Sequence, residues 1–485
     1  MEGQGDNTFL EVDRDEEVVQ VEAHVSGDSA DVSISCSDAT GLGCDIARVI
    51  FNFGLTVYNG DFSTDGRWCF VMLHVRPCFG SPPCAKNWNL LKKHLLRFCS
   101  SEKTLKSSAG PIGHKKFILQ IQFQDQIGTL HNIIHCLWEA DLVVHKANIS
   151  TSPDNKGMDM FYVSDNLDKL PKQSRINQIE EMLAKRIHSD LKVTCIAYPY
   201  SRLSKNASPR LLTGTKDCKD SRSSLPMMRT LSNRERNGSR RSSVSSQEGF
   251  DILPRFNVAE IFQSLKVNAD NLVSPTQTVI HIECPDRKGL LYDLFRITKD
   301  IGLQISYSKI SLDMKLCRAD LFVHEAEHHQ KLTDEMIEFV CAEIKHAITS
   351  SILVKVQNRH DAGSSTAVLQ TEVVALAPVD SGFRGRPRVL YDLTATLNQL
   401  GVSIFHAEMY AVELSGDGRE QDKRYQEVHR FVIQDSNGKS IGSNGDLEVI
   451  ENELYSRLIG SGAGPRESSK PQFANLLNLL DYGIL

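Results

Sequence analysis

No apolar run in these 485 residues approaches the roughly 18–20 uninterrupted residues that a membrane helix needs, so no membrane partner is expected. The first thirty residues hold nine acidic side chains against a single Arg14. Secretory and organelle-import leaders are basic or acid-poor, so a cytoplasmic or nuclear location is expected. Twelve cysteines are present, but no two stand as C-x-x-C, the pairing that would set thiolates tetrahedrally around zinc. With no secretory signal they read as reduced, mostly buried thiols. A Walker A loop, a nucleophile elbow and a kinase signature are all missing, so no catalytic residue, cofactor or metal is expected and the chain reads as a non-enzyme. The net charge of -6 is too mild for a chain built throughout to grip phosphate backbones. Nucleic acid is therefore not an expected partner.

What the chain does contain is a degenerate repeat. Four stretches, beginning CSDATGLG at Cys36, FQDQIGTL at Phe123, CPDRKGLL at Cys284 and RPRVLYDL at Arg386, share one plan. Each follows a β-branched strand, and a polar turn brings Asp38, Asp125, Asp286 or Asp380. About thirteen residues of helical period come next, with Ile46, Val49, Ile50 and Phe53 in the first copy and Leu291, Leu294, Ile297 and Ile301 in the third. Gly54, Gly302 and Gly401 stand where these helices end, as a left-handed C-cap requires, and Asp141 takes that place in the second copy. Two strands and a second helix complete each copy. A last strand is expected at Leu191–Tyr198 after the second copy and at Ile352–Gln357 after the third, and none is evident after the first.

The unit predicted is therefore βαββαβ, a ferredoxin-like sandwich of class α+β, with two helices on one face of an antiparallel sheet. Helix starts near 41, 128, 289 and 388 place the units at 18–100, 115–200, 275–360 and 370–460, with a tail at 461–485. The long second interval carries an insertion, 201–274. Its first fifty residues hold 12 Ser, 11 Lys or Arg and 4 Asp or Glu, a charge of +7 that leaves -13 for the rest of the chain. Such a stretch cannot bury enough apolar surface to offset its conformational entropy, and a disordered basic linker is expected. Within it Arg229-Thr230-Leu231-Ser232 and Arg240-Arg241-Ser242-Ser243 fit basophilic-kinase sites at Ser232 and Ser243, where phosphate would bring the cationic stretch toward neutral.

The turn before the first helix carries what chemistry there is. In Asp38-Ala39-Thr40-Gly41 and Asp286-Arg287-Lys288-Gly289 a glycine opens the helix, so backbone N–H groups can approach a ligand without an intervening Cβ. Unpaired N–H groups in the first turn suit a carboxylate. The Asp can cap the helix or hold an ammonium group. Together the two halves match a free amino acid, although a lone D-x-x-G is also a plain turn and cap. His324-Glu325-Ala326-Glu327-His328 has the H-E-x-x-H spacing of a zinc protease, but it follows a strand, where two histidines four apart do not share a helical face. Gly460–Gly464 trails a helix and leads to Pro465, which makes it a connector. The stretch 473–485, apolar at Phe473, Leu476, Leu477, Leu479 and Leu480, is expected to pack on its own domain.

Repeated βαββαβ units with D-x-x-G-L before the helix, a glycine at its end and paired strands such as LQISYSKISLDMKLCRADLFV resemble ACT domains, regulatory modules that bind amino acids. Four without an attached enzyme are similar to the plant ACT-repeat proteins, in particular to the subgroup with an atypical fourth unit. The resemblance implies units paired side by side into continuous sheets, with an amino acid held between one unit's strand-helix loop and a neighbour's strand. It places the ligand at Asp38, Gly41 and Leu42, at Asp125, Gly128 and Thr129, and at Asp286, Gly289 and Leu290. Unit two departs from the pattern at Gln126, Ile127 and Thr129, and unit four puts Arg388 where the glycine belongs. Binding is thus expected at units one and three, with unit four pairing without ligand. The function expected is an amino-acid-binding regulator or sensor, the alternative a phospho-regulated scaffold whose units have lost ligand. A protein partner or a second copy could dock through the sheets in either case.

Overall fold

The computed structural model describes residues 18–25, 27–78, 87–99, 116–152, 154–165, 172–187, 191–197, 265–313, 315–349, 352–360, 369–414, 424–435, 438–442 and 444–460. Unit one runs β1 (Val19–Ala23), β2 (Ala30–Ser37), α1 (Leu42–Asn52), β3 (Leu55–Thr64), β4 (Trp68–Pro77) and α2 (Trp88–Cys99). Unit two runs β5 (Phe117–Gln124), α3 (Thr129–Glu139), β6 (Leu142–Ser150), β7 (Lys156–Asp165), α4 (Gln173–Ile187) and β8 (Lys192–Ala197). The third has β9 (Lys266–Asp270), β10 (Thr278–Pro285), α5 (Leu290–Asp300), β11 (Leu303–Asp313), β12 (Leu316–Glu325) and α6 (Asp334–Thr349). The fourth has β13 (Leu353–His360), β14 (Leu369–Pro378), α7 (Val389–Gln399), β15 (Ser403–Leu414), β16 (Arg424–Gln434) and α8 (Asn444–Ile459).

These strands form two eight-stranded antiparallel sheets, ordered β1-β2-β4-β3-β11-β12-β10-β9 and β13-β14-β16-β15-β6-β7-β5-β8. Units one and three share the first sheet through the pairing of Ser63 with Tyr307 and its neighbours, and units two and four share the second through Ser150 opposite His406. The expected side-by-side pairing is thus made within one chain. Each copy also shifts register two or three residues into the strand that follows its first helix, at Val57/Asn59, Val144/Lys146, Ile305/Tyr307 and Ile404/His406. Such a bulge bends a strand and is a built feature of the unit. Gly54, Asp141, Gly302 and Gly401 all adopt the left-handed conformation expected of them, with φ between 61° and 75°.

Three strand assignments differ from the sequence reading. The strand at 352–357 does not close unit three: as β13 it crosses to the other sheet, where Leu353 stands opposite Leu376. The edge position of unit three is taken by β9, which lies inside the stretch read as linker and buries only Val267. The edge strand not found after copy one is supplied from upstream by β1. Alternation of apolar and polar residues tells which face of a strand is buried, not which neighbour it pairs with. Only unit two has the βαββαβ chain order. The other three take the same edge strand from the residues before them. Residues 201–264 of the expected linker, with Ser232 and Ser243, the tail 461–485 and the 473–485 stretch lie outside the described residues.

Helix α1 shows how one sequence serves two units. Leu42, Ile46, Val49 and Ile50 pack into the core of unit one, while Cys44, Ala47 and Phe51, on the adjacent face, join that of unit three. Units two and four share one continuous core. The helical layers meet where Phe53 packs its ring against the edge of Trp138, centroids 5.2 Å apart. Among the described residues no helix is long and apolar enough to cross a membrane.

Candidate functional site

The four strand-helix loops end alike. Gly41 (φ 81°), Gly128 (φ 89°), Gly289 (φ 74°) and Arg388 (φ 69°) each hold the left-handed conformation immediately before α1, α3, α5 and α7, and no side chain caps any of the four helices. The loop aspartates serve the neighbouring strand instead. Thr64 donates its hydroxyl hydrogen to Asp38 at 2.7 Å, and Thr151 does the same to Asp125 at 2.8 Å. Asp38 also accepts from the amide of Gln304 on unit three at 3.2 Å. In unit three the threonine's place falls to Leu312, and burial pushes the Asp286 carboxyl up.

Side chains from neighbouring units stand over all three loop glycines. A Cβ on Gly41 would stand 2.8 Å from Cε of Lys299, and one on Gly289 would stand 2.6 Å from the ring of Phe51, with the Arg386 guanidinium closer still. Arg386 comes from the unit-four loop. It donates to both carboxylate oxygens of Asp293 on α5 at 3.2 Å and to the Lys288 carbonyl at 2.7 Å, and it lies over the Phe51 ring at 4.7 Å. Arg287 donates to the same Asp293 at 2.6 Å. Burial opposes ionisation there, but Arg386, Arg287 and Arg296 outweigh it and hold the carboxyl below the usual range.

The same loop reaches unit one as well. Arg48 donates to the Gly385 carbonyl at 2.9 Å and to the Tyr292 hydroxyl at 2.7 Å, and it pairs with Asp380 at 3.2 Å, while Arg384 pairs with Asp45 at 2.7 Å. Lys288 meets Asp392 at 2.6 Å, both side chains 2% exposed, and Arg388 donates to Asp392 and to the Asn52 carbonyl. Buried charges survive only when paired and hydrogen-bonded in this way. The unit-four loop is thus a latch between the two sheets, seated over the third strand-helix loop.

The second loop borders a cleft. Asp125, Gln126, Gly128, Leu130 and His131 of unit two face Thr394 and Asn398 of α7 and Val402 and Ile404 beyond it, around a shallow cleft that encloses about 20 Å³ and opens to solvent. Asn398 looks onto Gly128, leaving no room for a side chain there, since its Cγ would lie 2.9 Å from a Cβ. Burial pushes the His131 imidazole down to about 4, so it faces the cleft neutral and within 3.2 Å of the Thr394 hydroxyl. Burial also raises Asp125, against the effect of its Thr151 hydrogen bond. The cleft therefore offers a carboxylate, neutral polar groups and an uncapped helix start within one small volume.

Asp38, Gly41 and Leu42, then Asp125, Gly128 and Thr129, then Asp286, Gly289 and Leu290, all stand at matching positions of three loops. What differs is the neighbour: Lys299 stands over Gly41, Asn398 over Gly128, and Phe51 with Arg386 over Gly289. Thr129 turns inward, where its hydroxyl accepts from the Gln126 N–H at 3.1 Å. Sequence reasoning missed Arg48, Asp293, Arg384 and Arg386, and gave Asp380 only as the turn acid of the fourth copy. The one signal available was the run Arg384-Gly385-Arg386-Pro387-Arg388, too basic for an unpartnered helix start. His324 and Glu325 end β12 and the next three residues turn, so the H-E-x-x-H spacing is not helical, and among the described residues no group of three ligands could hold a metal.

Three family models match the chain: ACT domain-containing protein ACR10, N-terminal, at 20–100; ACR9-like, ACT-like domain, at 266–361; and ACT domain-containing protein ACR9, C-terminal, at 371–460. ACT domain-containing protein ACR10 of Arabidopsis thaliana is 30% identical over 457 residues, covering 92% of this chain and 98% of the relative. ACR9 of the same plant is 29% identical over 453 residues, with the same coverage. The solved aspartate kinase from Synechocystis aligns with 90% of this chain and 56% of its own at 14% identity and a TM-score of 0.16, too slight a likeness to argue from.

Proposed function

The chain belongs to the ACR family of ACT domain-containing proteins, and from that premise we propose that it is a non-enzymatic regulator that binds a free amino acid. The observation that carries this reading is the cleft between the unit-two loop and α7. A zwitterion needs a positive and a negative anchor a few ångströms apart. The N-terminus of α3 supplies the first through its uncapped N–H groups, and Asp125 the second.

The regulatory consequence follows from where the cleft sits. Thr394 and Asn398 belong to the helix whose first turn carries the latch, so a ligand that favours one placement of α7 acts on the contact between the sheets. Thermal shift and calorimetry against the twenty amino acids test the reading. A binder present at a hundred times its Kd adds about 2.7 kcal/mol of stability. Failure of all twenty to shift the melting point at millimolar concentration would sink it.

A second reading has its own support. The space over Gly41 and Gly289 is taken by Lys299, Arg386 and Phe51, as in units that have exchanged ligand for a fixed internal contact. Under it the protein is an interaction scaffold regulated through the linker. Phosphomimetic changes at Ser232 and Ser243 should then alter partner capture, and amino acids should not.

A further inference from the structure

One position of the repeat is exposed in three copies and sealed in the fourth. Counted four residues back from the residue that faces the shared bulge, it is Phe70 in unit one, Met158 in unit two, Arg318 in unit three and Val428 in unit four. Residues of the other phase of these strands, such as Val71, Ala319 and Phe431, point into the cores, so this row faces away from the helices. Phe70 is 57% exposed, Met158 45% and the Arg318 side chain 56%, as on an uncovered sheet face. Val428 is 0% exposed, and both Leu376 opposite it and Val374 on the same strand as Leu376 are 1% exposed.

These three residues join Val412, Leu353 and Tyr410 in an apolar cluster to which, among the described residues, only strands contribute. The helices α3, α4, α7 and α8 pack on the opposite face, in the large core of units two and four. What seals the row must itself be apolar. Of the neighbouring stretches outside the described residues, 361–368 and 415–423 hold no apolar side chain larger than Val368, and the apolar stretch 250–264 runs straight into β9 at the edge of the other sheet. In 473–485, by contrast, Phe473, Leu476, Leu477 and Leu480 recur at i, i+3, i+4 and i+7, one face of a helix. The chain also leaves unit four beside the cluster. Asn358 of the edge strand β13 donates to the Ile441 carbonyl ahead of α8 at 2.9 Å, and Glu451 within α8 accepts from the Val356 N–H at 2.8 Å, so the helix runs back along β13 and ends toward Leu353. Residues 461–472 then span up to about 40 Å at about 3.3 Å each, ample to round one edge strand.

We propose that residues 473–485 dock as an amphipathic helix across β13, β14 and β16 on the outer face of unit four, with Val428 at the centre of the site. The mode is that of an apolar helix face laid on a hydrophobic surface, here supplied by the same chain. Leu353, Leu376, Val428 and Tyr410 stand opposite one another in register on β13, β14, β16 and β15. With the segment lifted they form a bare apolar row four strands wide, so the segment is a cover over a docking surface.

The full chain is compared as wild type and as the tail variant Leu476→Asp/Leu480→Asp, by binding of anilinonaphthalene sulfonate, sedimentation velocity and capture of a labelled peptide of sequence 473–485. In the tail variant dye fluorescence should rise at least threefold, and the peptide should bind at least tenfold more tightly than to wild type, whose own segment excludes it. Adding Val428→Asp to the tail variant should abolish peptide binding, whereas adding Phe70→Asp, at the exposed counterpart in the other sheet, should leave it intact. If Val428→Asp does not fold, Val428→Thr, of the same shape, should weaken the peptide at least threefold. Self-association of the tail variant that is lost with the Val428 substitution supports the proposal, since the bared face then meets a second copy. A wild-type dye signal with no peptide binding overturns it and leaves the cover to another segment. Peptide binding removed by Phe70→Asp and spared by the Val428 substitutions places the segment on unit one and overturns it as well.

Discussion

Replacing Asp293 with Asn removes one charge from the latch and changes almost nothing else. The side chain is 0% exposed, so the isosteric amide creates no cavity. It faces Arg287 at 2.6 Å and Arg386 at 3.2 Å, and with the carboxylate gone both guanidiniums remain buried without their counter-charge. At an effective dielectric near 20 each close pair is worth about 4 kcal/mol before relaxation. The remaining amide oxygen and side-chain relaxation recover part of that. Measured losses on breaking a buried pair run at about 3–5 kcal/mol, and that range is expected here. Urea unfolding of the full chain reads it, with the m-value followed to detect loss of cooperativity between the sheets. The acid limb gives a second reading. Because the folded carboxyl is held below its unfolded value, its stabilisation is present above the unfolded pKa and is lost as pH falls through the folded one. Wild type should therefore lose more stability than Asp293→Asn on acidification below about 4, the ordinary carboxylate range. Adding Arg386→Met should recover part of the loss by removing one stranded cation. A single variant within 1 kcal/mol of wild type, or a double variant no better than the single, would refute the assignment of the latch.

Three further outcomes are expected. Gly128→Ala meets both left-handed strain of about 1–2 kcal/mol and the Asn398 side chain, so it should lower the melting point and abolish amino-acid binding. Gly302→Ala, at φ 75° with nothing within 4 Å, carries the strain alone, and calorimetry should show its binding unchanged. The buried Asp159 carboxyl of β7 binds its proton more tightly folded than unfolded, so stability falls as pH rises from the ordinary carboxylate value toward the folded one. In Asp159→Ala that decline in a pH series of urea midpoints should shrink, while Asp125, also raised by burial, keeps its own smaller share. Lys288→Met leaves Asp392 to Arg388 alone and should change amino-acid affinity by about 0.5–2 kcal/mol if α7 couples latch and cleft; identical isotherms would show the two to be independent.

Much of the unit was legible because its signals are local. The helical period around Ile46 and Ile50, the terminal Gly54 and the turn Asp65-Gly66 each belong to a few neighbouring residues. Asp141 could even be placed as a left-handed C-cap from its position alone, and its φ is 61°. The edge strand β8 was legible after the second copy, but those of the other units were not, because β9 reads Lys-Val-Asn-Ala-Asp with one buried side chain, and β13 has the right alternation for either sheet. The loops Asp38–Gly41 and Asp286–Gly289 gave the position of a possible site but not its neighbours. Lys299 and Arg386 reach them only through the packing of other units. Asp159 did leave a trace: Gly157-Met158-Asp159-Met160-Phe161 puts an acid on the inward phase of a strand where copy one reads Cys69, Val71 and Leu73. Setting the copies against one another by strand register exposes it.

The four copies share a bulge, a helix end and a left-handed helix start, yet they have diverged in what stands across from that start. Unit four shows the direction of the divergence most clearly. A non-glycine at φ 69° is disfavoured by about 1–2 kcal/mol, and glycine would remove the strain at once. Arg388 persists there because its guanidinium holds Asp392 and the Asn52 carbonyl, contacts that glycine cannot make. Strain retained against so simple a remedy argues that joining the two sheets matters more to this unit than keeping its own loop open. The joining also closes the third loop, since Arg386 comes from the same segment. The second loop faces α7, whose first turn is fixed by Arg388 and Asp392 and whose later turns line the cleft. A ligand there can act on the sheet contact only if it binds one placement of α7 better than another. By the same linkage, any change in the latch must then appear as a change in ligand affinity.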